Sequence, residues 1–250
     1  MPPHDRGAPS HAAKTPERFV GIDVGAREYQ AVLLSPNAEW LASVRFASPI
    51  TLVEWLDEAT PEGGGIAVDA PLRTSEGLML DPEYRASLIP QPSPGRYLTY
   101  RECDYHLSRR RLPLYLVPTR YPDCPSWMRA GFAVYDALLA TGRWSLFDGC
   151  SGRNWLAEVY PFASFAVMLG HIPPAKHTPD GRAARIAALQ SRLDRHANLE
   201  GRTQHELDAA AAAVTALALQ DGHATWVGNP REALIVLPGP LKAKYERTHK

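Results

Sequence analysis

The chain has 250 residues with 27 basic and 27 acidic side chains, so its formal net charge is zero. Balanced charge offers no global argument for nucleic-acid binding, which would therefore need a local basic patch. Cys103, Cys124 and Cys150 are too widely spaced for a zinc motif or a disulfide framework, and they favour a reducing compartment. There is no signal-peptide core and no run of roughly 20 apolar residues. We expect a cytoplasmic protein that does not span a membrane.

The N-terminal part of the chain predicts a β-meander. Residues 1–17 are rich in proline and polar residues and are expected to form a disordered tail, with residues 18–250 forming a single domain. In residues 19–25, apolar side chains alternate with glycine or aspartate, which predicts a strand with one buried face and Asp23 within it. Residues 29–34 complete a hairpin, and residues 40–46 offer a third strand.

A helix and a returning strand follow the meander. Pro49 and Thr51 open a short helix to about residue 59, and residues 66–69 form an apolar strand that ends in Asp69. Residues 70 to about 150 are predicted to be an insertion that is irregular in its first part. Within it we expect a loop at residues 90–94, a helix at 100–111, a strand at 114–117 and a helix from Ser126 to about residue 141.

Regular structure resumes in the last third of the chain. Residues 155–160 predict a strand that carries Glu158, and helices follow at about 162–169 and from residue 179. Thr203 and Glu206 form a capping-box sequence that begins a helix to about residue 220. This helix has an alanine-rich face and carries Asp208 in its predicted first turn. Residues 233–237 fit either a last strand or an apolar tail segment.

Four carboxylates therefore fall on or beside predicted core elements: Asp23, Asp69, Glu158 and Asp208. If their strands are neighbours, three of these side chains can converge at one edge of the sheet, and the alanine-rich helix can bring in the fourth. Crowded carboxylates repel one another, so such a cluster implies a cation, and hard oxygen ligands favour Mg²⁺ or Mn²⁺. A site of this kind suits phosphodiester hydrolysis, in which two ions about 4 Å apart activate water and stabilise the leaving oxygen.

Each carboxylate also has a structural explanation that stays open. Asp23 can be a carboxylate at a strand-to-turn junction, compensated by backbone amides or by exposure at the strand end. The helix dipole alone favours Asp208 in a first turn. Asp69 can be a strand-end cap, and Glu158 can face solvent on an edge strand. The histidines, including His205, show no ligand spacing.

Basic side chains offer two candidate phosphate contacts. Arg101 and the run at residues 109–111 are interleaved with tyrosines, although a solvated helix face is the favoured interpretation. Lys176 and Arg182 lie at a helix start that can hold an anion, and a plain capped helix explains them equally well.

Six short motifs in order resemble the domain-of-unknown-function family four-two-nine, over residues 19–237. They are Gly21-Ile22-Asp23-Val24-Gly25, Val68-Asp69-Ala70-Pro71-Leu72, Arg101-x-Cys103-Asp104, Glu158-Val159-Tyr160-Pro161, Lys176-x-Thr178-x-x-Gly181-Arg182 and Asp208-Ala209-Ala210-Ala211. The family is generally described as predicted nucleases with a ribonuclease H-like fold. The resemblance implies an α/β fold with a five-stranded mixed sheet, its first three strands antiparallel, flanked by helices.

The resemblance also implies a function and a site. It implies a catalytic Mg²⁺ or Mn²⁺ site at Asp23, Asp69, Glu158 and Asp208, with nucleic acid as the partner. The Arg101-x-Cys103-Asp104 segment would lie beside that site. The substrate-binding residues would then be Arg101, Asp104, Lys176 and Arg182.

Two other classes of protein remain as alternatives. Gly-Ile-Asp-x-Gly also opens the actin-like sugar kinases and ATPases, where the hairpin holds phosphate between two domains, but this chain has room for only one such domain. The second alternative is a non-catalytic module with the same fold. Occupation of all four acidic positions argues against a decayed site.

Overall fold

The computed structural model describes residues 18–89, 95–150, 152 and 154–247. The predicted tail at residues 1–17 and the predicted loop at 90–94 lie outside these residues. In the described part of the chain, no helix is long and apolar enough to cross a membrane.

One mixed sheet contains all eight strands of the described residues. The strands are β1 (Arg18–Val24), β2 (Tyr29–Leu34), β3 (Trp40–Phe46), β4 (Gly64–Asp69), β5 (Ser145–Leu146), β6 (Trp155–Val159), β7 (Thr225–Asn229) and β8 (Ala233–Leu237). Their order is β3-β2-β1-β4-β6-β8-β7, with the short β5 paired to β6 beside this path. The first three strands are antiparallel, β4, β6 and β8 run parallel to β1, and β7 returns antiparallel at the edge.

Seven α-helices accompany the sheet in the described residues. They are α1 (Pro49–Ala59), α2 (Pro82–Leu88), α3 (Glu102–Ser108), α4 (Ser126–Ala140), α5 (Pro161–Leu169), α6 (Pro179–Gln190) and α7 (Gln204–Gln220). Apolar side chains of α5, α6 and α7 share a core with one face of the sheet, and those of α1 and α4 share a core with the other. The predicted mixed sheet, with antiparallel first strands and helices on both faces, is confirmed.

Two details of the sheet differ from the prediction. Residues 233–237 form the buried strand β8, which is the first of the two alternatives for this segment, and β5, β7 and β8 bring the predicted five strands to eight in the described residues. Residues 114–117, in contrast, form no strand. Pro113 and Pro118 flank that segment and cannot donate to a β-ladder, and Tyr115 and Leu116 are exposed instead of packed.

Helix α7 lies directly across the central strand β1. Its start is defined by the predicted capping box, in which the Thr203 amide donates to Glu206 Oε2 at 2.8 Å and the Glu206 amide donates to Thr203 Oγ1 at 3.2 Å. A Cβ atom on Gly21 of β1 would lie only 1.9 Å from the Ala209 carbonyl oxygen, so only glycine permits this approach. The fully buried alanines at 209–213 complete the close contact. This packing places the N-terminal turns of α7 beside the carboxyl end of β1.

Candidate active site

The register between β1 and β4 places Asp23 and Asp69 side by side. The two residues are Cα partners in the parallel pair. Side chains of paired residues point to the same face of a sheet, and Gly21, two residues before Asp23, faces α7. Asp23 and Asp69 therefore both lie on the α7 face.

Asp208 reaches the same place from α7. Its carboxylate is buried, accepts a hydrogen bond from Gln204 Nε2 at 2.8 Å and lies 3.4 Å from Lys176 Nζ. Because α7 begins at Gln204, the acidic residue of the first turn is Glu206, and Asp208 lies beyond that turn. The helix dipole acts mainly within the first turn, so it does not account for Asp208. We call Asp23, Asp69 and Asp208 the acidic cluster.

Burial and neighbouring carboxylates raise the pKa values of two members of the acidic cluster. Burial raises the pKa of Asp69 well above its usual value, and the negative charges of Asp23 and Asp208 raise it further. Burial, followed by the charge of Asp23, raises the pKa of Asp208 to about 6, although Lys176 acts in the opposite direction. Lys176 is itself more than half exposed, so solvent screens its contribution.

His205 is a site residue that the sequence did not reveal. Its Nδ1 lies 2.5 Å from Asp23 Oδ2, and this hydrogen bond raises the pKa of the imidazole. The available signal was its position three residues before Asp208 on a predicted helix, since residues at that spacing share a helix face.

The donor types of this site fit a hard divalent cation. Three carboxylates supply oxygen ligands of the kind that Mg²⁺ and Mn²⁺ prefer, and an imidazole adjoins them. Burial and neighbouring carboxylates raise the pKa values of Asp69 and Asp208, and a cation bound there would offset the repulsion between these side chains. Within the described ranges, no group of three or more His, Cys, Asp or Glu side chains is arranged so that it could hold a metal ion.

Glu158 lies on the opposite face of the sheet. The Cα partner of Glu158 in β4 is Val68, one residue before Asp69. Because successive side chains of a strand alternate between faces, this offset turns Glu158 away from Asp69. Glu158 is buried, which also excludes the solvent-facing alternative. The structure thus brings three of the four predicted carboxylates together and separates Glu158 from them.

Glu158 is instead paired with Arg101. Arg101 Nη2 donates to Glu158 Oε1 at 2.8 Å and Nη1 donates to Oε2 at 3.0 Å, while Nε and Nη2 each donate to Asp104 at 3.1 Å. The Leu72 amide also donates to Glu158, at 2.9 Å. Burial raises the pKa of Glu158, and the charge of Arg101 opposes that rise. We call Arg101, Asp104 and Glu158 the Arg101 network.

The four predicted substrate-binding residues occupy different places. Lys176 lies at the acidic cluster, whereas Arg101 and Asp104 are buried in the network on the other face. Arg182 donates to the Arg202 carbonyl oxygen at 2.6 Å, near the start of α7. Of these four residues, Lys176 is the one with an exposed charge beside the carboxylates.

Residues 21–232 match the family described as "Protein of unknown function (DUF429)". The match covers most of the chain, so the chain belongs to this family, as its motifs predict. No curated protein matches the chain significantly.

Comparison with solved structures finds weak overall likenesses. Thermus thermophilus RuvC aligns with 14% identity and a TM-score of 0.45, covering 82% of this chain and 96% of that one. T. thermophilus RuvC in complex with a Holliday junction substrate aligns with 15% identity and a TM-score of 0.42, covering 82% of this chain and 96% of that one. A putative sugar kinase from Cytophaga hutchinsonii aligns with 13% identity and a TM-score of 0.29, covering 60% of this chain and 38% of that one. Nothing about reaction or substrate follows from likenesses of this size.

Proposed function

We propose that this protein is a nuclease that hydrolyses phosphodiester bonds of nucleic acid with Mg²⁺ or Mn²⁺ held by the acidic cluster. The observation that carries the proposal is the convergence of three carboxylates, Asp23, Asp69 and Asp208, from two strands and a helix. Glu158, which the resemblance implied as a fourth ligand, is left out because Arg101 already pairs with it.

A divalent cation bound there would polarise the scissile phosphate and stabilise the leaving oxygen. The exposed Lys176 ammonium beside Asp208 is suited to bind a phosphate oxygen of the substrate. Asp23 holds His205 through Nδ1 and so orients the imidazole. His205 is therefore suited to donate a proton to the leaving oxygen from its other nitrogen.

Calorimetric titration with Mn²⁺ tests the metal site. The wild type should bind Mn²⁺, Asp23→Asn should not, and Asp136→Asn should bind as the wild type does. Asp136 is a matched control because it is an exposed aspartate on α4, on the other side of the sheet. The three proteins are then assayed with Mn²⁺ on single-stranded, double-stranded and branched DNA and RNA.

Loss of both Mn²⁺ binding and cleavage in Asp23→Asn alone would support the proposal. Binding and cleavage that survive this substitution would contradict it, as would a wild type that does neither with substrate present. Thermal stabilisation by ATP without any effect of nucleic acid would favour the actin-like alternative. A protein that responds to none of these ligands would favour the non-catalytic module.

A further inference from the structure

A small cavity of about 50 Å³ separates the acidic cluster from the Arg101 network. It lies at the carboxyl ends of β4 and β6, with Asp69 on one side and the three members of the Arg101 network on the other. Its wall is formed by Leu114, Tyr115, Trp127 and Tyr160, and we call this space the aromatic cleft. A water molecule needs ~10–15 Å³ of such volume, so the cleft holds on the order of four waters. A small planar chemical group would fit in this volume.

The aromatic rings in the wall of the cleft contact neighbouring residues, and part of their surface stays exposed. Tyr115 is 68% exposed and meets Trp127 edge-on, with 5.6 Å between ring centroids and 72° between ring planes. The Tyr160 hydroxyl donates to the Pro113 carbonyl oxygen at 2.9 Å, and its ring stacks on Phe162. Exposed aromatic faces beside a cavity favour another planar ring, because stacking tolerates any ring that presents a π-face.

Arg101 contributes its guanidinium to the polar side of the cleft. A guanidinium carries five N–H groups, and the Arg101 network uses four of them. The fifth, on Nη1, has no acceptor among the residues that the structure describes. A carbonyl oxygen or a ring nitrogen of a ligand that reaches Nη1 would satisfy this donor.

The charges of the residues that line the cleft disfavour an anion. Three carboxylates, Asp69, Asp104 and Glu158, line it against the single positive charge of Arg101. A phosphate or a carboxylate would meet a net negative lining, whereas a neutral ring would not. This argument also removes Arg101 as a phosphate ligand.

We propose that the aromatic cleft binds a nucleobase of the substrate, next to the phosphate that the acidic cluster engages. A base is planar, neutral and rich in hydrogen-bond acceptors, which are the three properties that the cleft selects. Because a base enters such a cleft only when it is unpaired, the substrate class is single-stranded or locally opened nucleic acid. This inference rests on the proposed function, since it takes the ligand to be a nucleotide of the nuclease substrate.

Binding without metal tests the cleft independently of catalysis. A labelled short oligothymidylate and the abasic oligomer of the same length are titrated in EDTA, and dissociation constants are measured by fluorescence anisotropy. The wild type should bind the base-containing oligomer more tightly. Tyr115→Ser should weaken that binding about fivefold or more and leave abasic binding unchanged. Tyr115→Phe should bind as the wild type does, because it keeps the ring.

Trp226→Leu is the matched control, because Trp226 is an exposed aromatic on the edge strand β7 and contacts Phe147, outside the cleft. Equal binding of the two oligomers by the wild type would overturn the inference. It would also be overturned if Tyr115→Ser weakened the binding of the base-containing and the abasic oligomer by the same factor. The two proposals fail separately. Base-dependent binding without any Mn²⁺-dependent cleavage contradicts the nuclease alone, and cleavage without base-dependent binding contradicts the cleft alone.

Discussion

The acidic cluster and the Arg101 network lie at the same end of the sheet, on opposite faces, and are neutralised in different ways. Glu158 and Asp104 share one buried guanidinium that donates to both. Asp69 and Asp208 face another carboxylate, Asp23, and the nearest lysine is mostly in solvent. Burial of acidic residues therefore does not by itself identify a metal site. The informative difference is whether the protein supplies the compensating positive charge, and four predictions test it.

Removing Arg101 should have the largest effect. Arg101→Met leaves Glu158 and Asp104 buried without their partner, so we expect the free energy of unfolding to fall by about 3–5 kcal/mol at pH 7. Urea unfolding followed by circular dichroism measures it. Arg109→Met is the control, because Arg109 is an exposed arginine at the end of the same helix and should change stability by less than ~0.5 kcal/mol. Equal effects of the two substitutions would show that the network contributes little.

Neutralising Asp208 should raise the free energy of unfolding, whereas removing Arg101 should lower it. A carboxyl whose folded pKa is about 6, instead of 3.8, stabilises the fold when protonated, and this stability is lost as pH rises through about 6. In EDTA, Asp208→Asn should therefore raise the free energy of unfolding by about 2–3 kcal/mol at pH 7.5, where roughly two pKa units are removed. The gain should be near zero at pH 4.

Urea unfolding at both pH values checks this sign, with Asp136→Asn as an exposed control that should change little at either. Destabilisation by Asp208→Asn at pH 7.5 would mean that Lys176 and Gln204 already compensate the carboxylate. The acidic cluster would then resemble the Arg101 network.

Gly21→Ala should disturb the acidic cluster without disturbing the Arg101 network. The new Cβ would overlap the Ala209 carbonyl oxygen, so α7 must move away from β1 at a cost of about 1–3 kcal/mol. Asp208 would move with the helix, and Mn²⁺ affinity measured by calorimetry should fall while the Arg101 network stays intact. Gly152→Ala is a suitable control, because a Cβ there has its nearest contact at 3.8 Å. Unchanged Mn²⁺ affinity in Gly21→Ala would argue against Asp208 as a ligand.

The smallest effect is expected for Glu158→Gln on metal binding. If Glu158 belongs only to the Arg101 network, its substitution should leave Mn²⁺ affinity within about twofold of the wild type. Calorimetry on folded protein, verified by circular dichroism, measures this. A tenfold loss would return Glu158 to the metal site that the resemblance implied.

Much of the fold followed from local patterns. Alternation in residues 19–25 predicted β1, and Thr203 with Glu206 predicted the start of α7 to the residue. Each of these patterns involves side chains only a few residues apart, so a short stretch of sequence is enough to predict the element. Strand β7 carried no comparable signal, because it is short and half-exposed at the sheet edge.

Sequence motifs and local patterns were enough to predict the family, the order of the main elements and the acidic residues near their ends. Which of these residues contact one another depends on the packing of whole strands and helices. Asp69 is the last residue of β4 and Glu158 the last but one of β6, and a one-residue offset in the pairing of these strands places the two side chains on opposite faces of the sheet. That offset depends on how whole strands pack, and so do the contact of His205 with Asp23 and the choice of Arg101 as partner for Glu158. Local periodicity specifies a side chain's face within its own strand, and the pairing of strands specifies its neighbours.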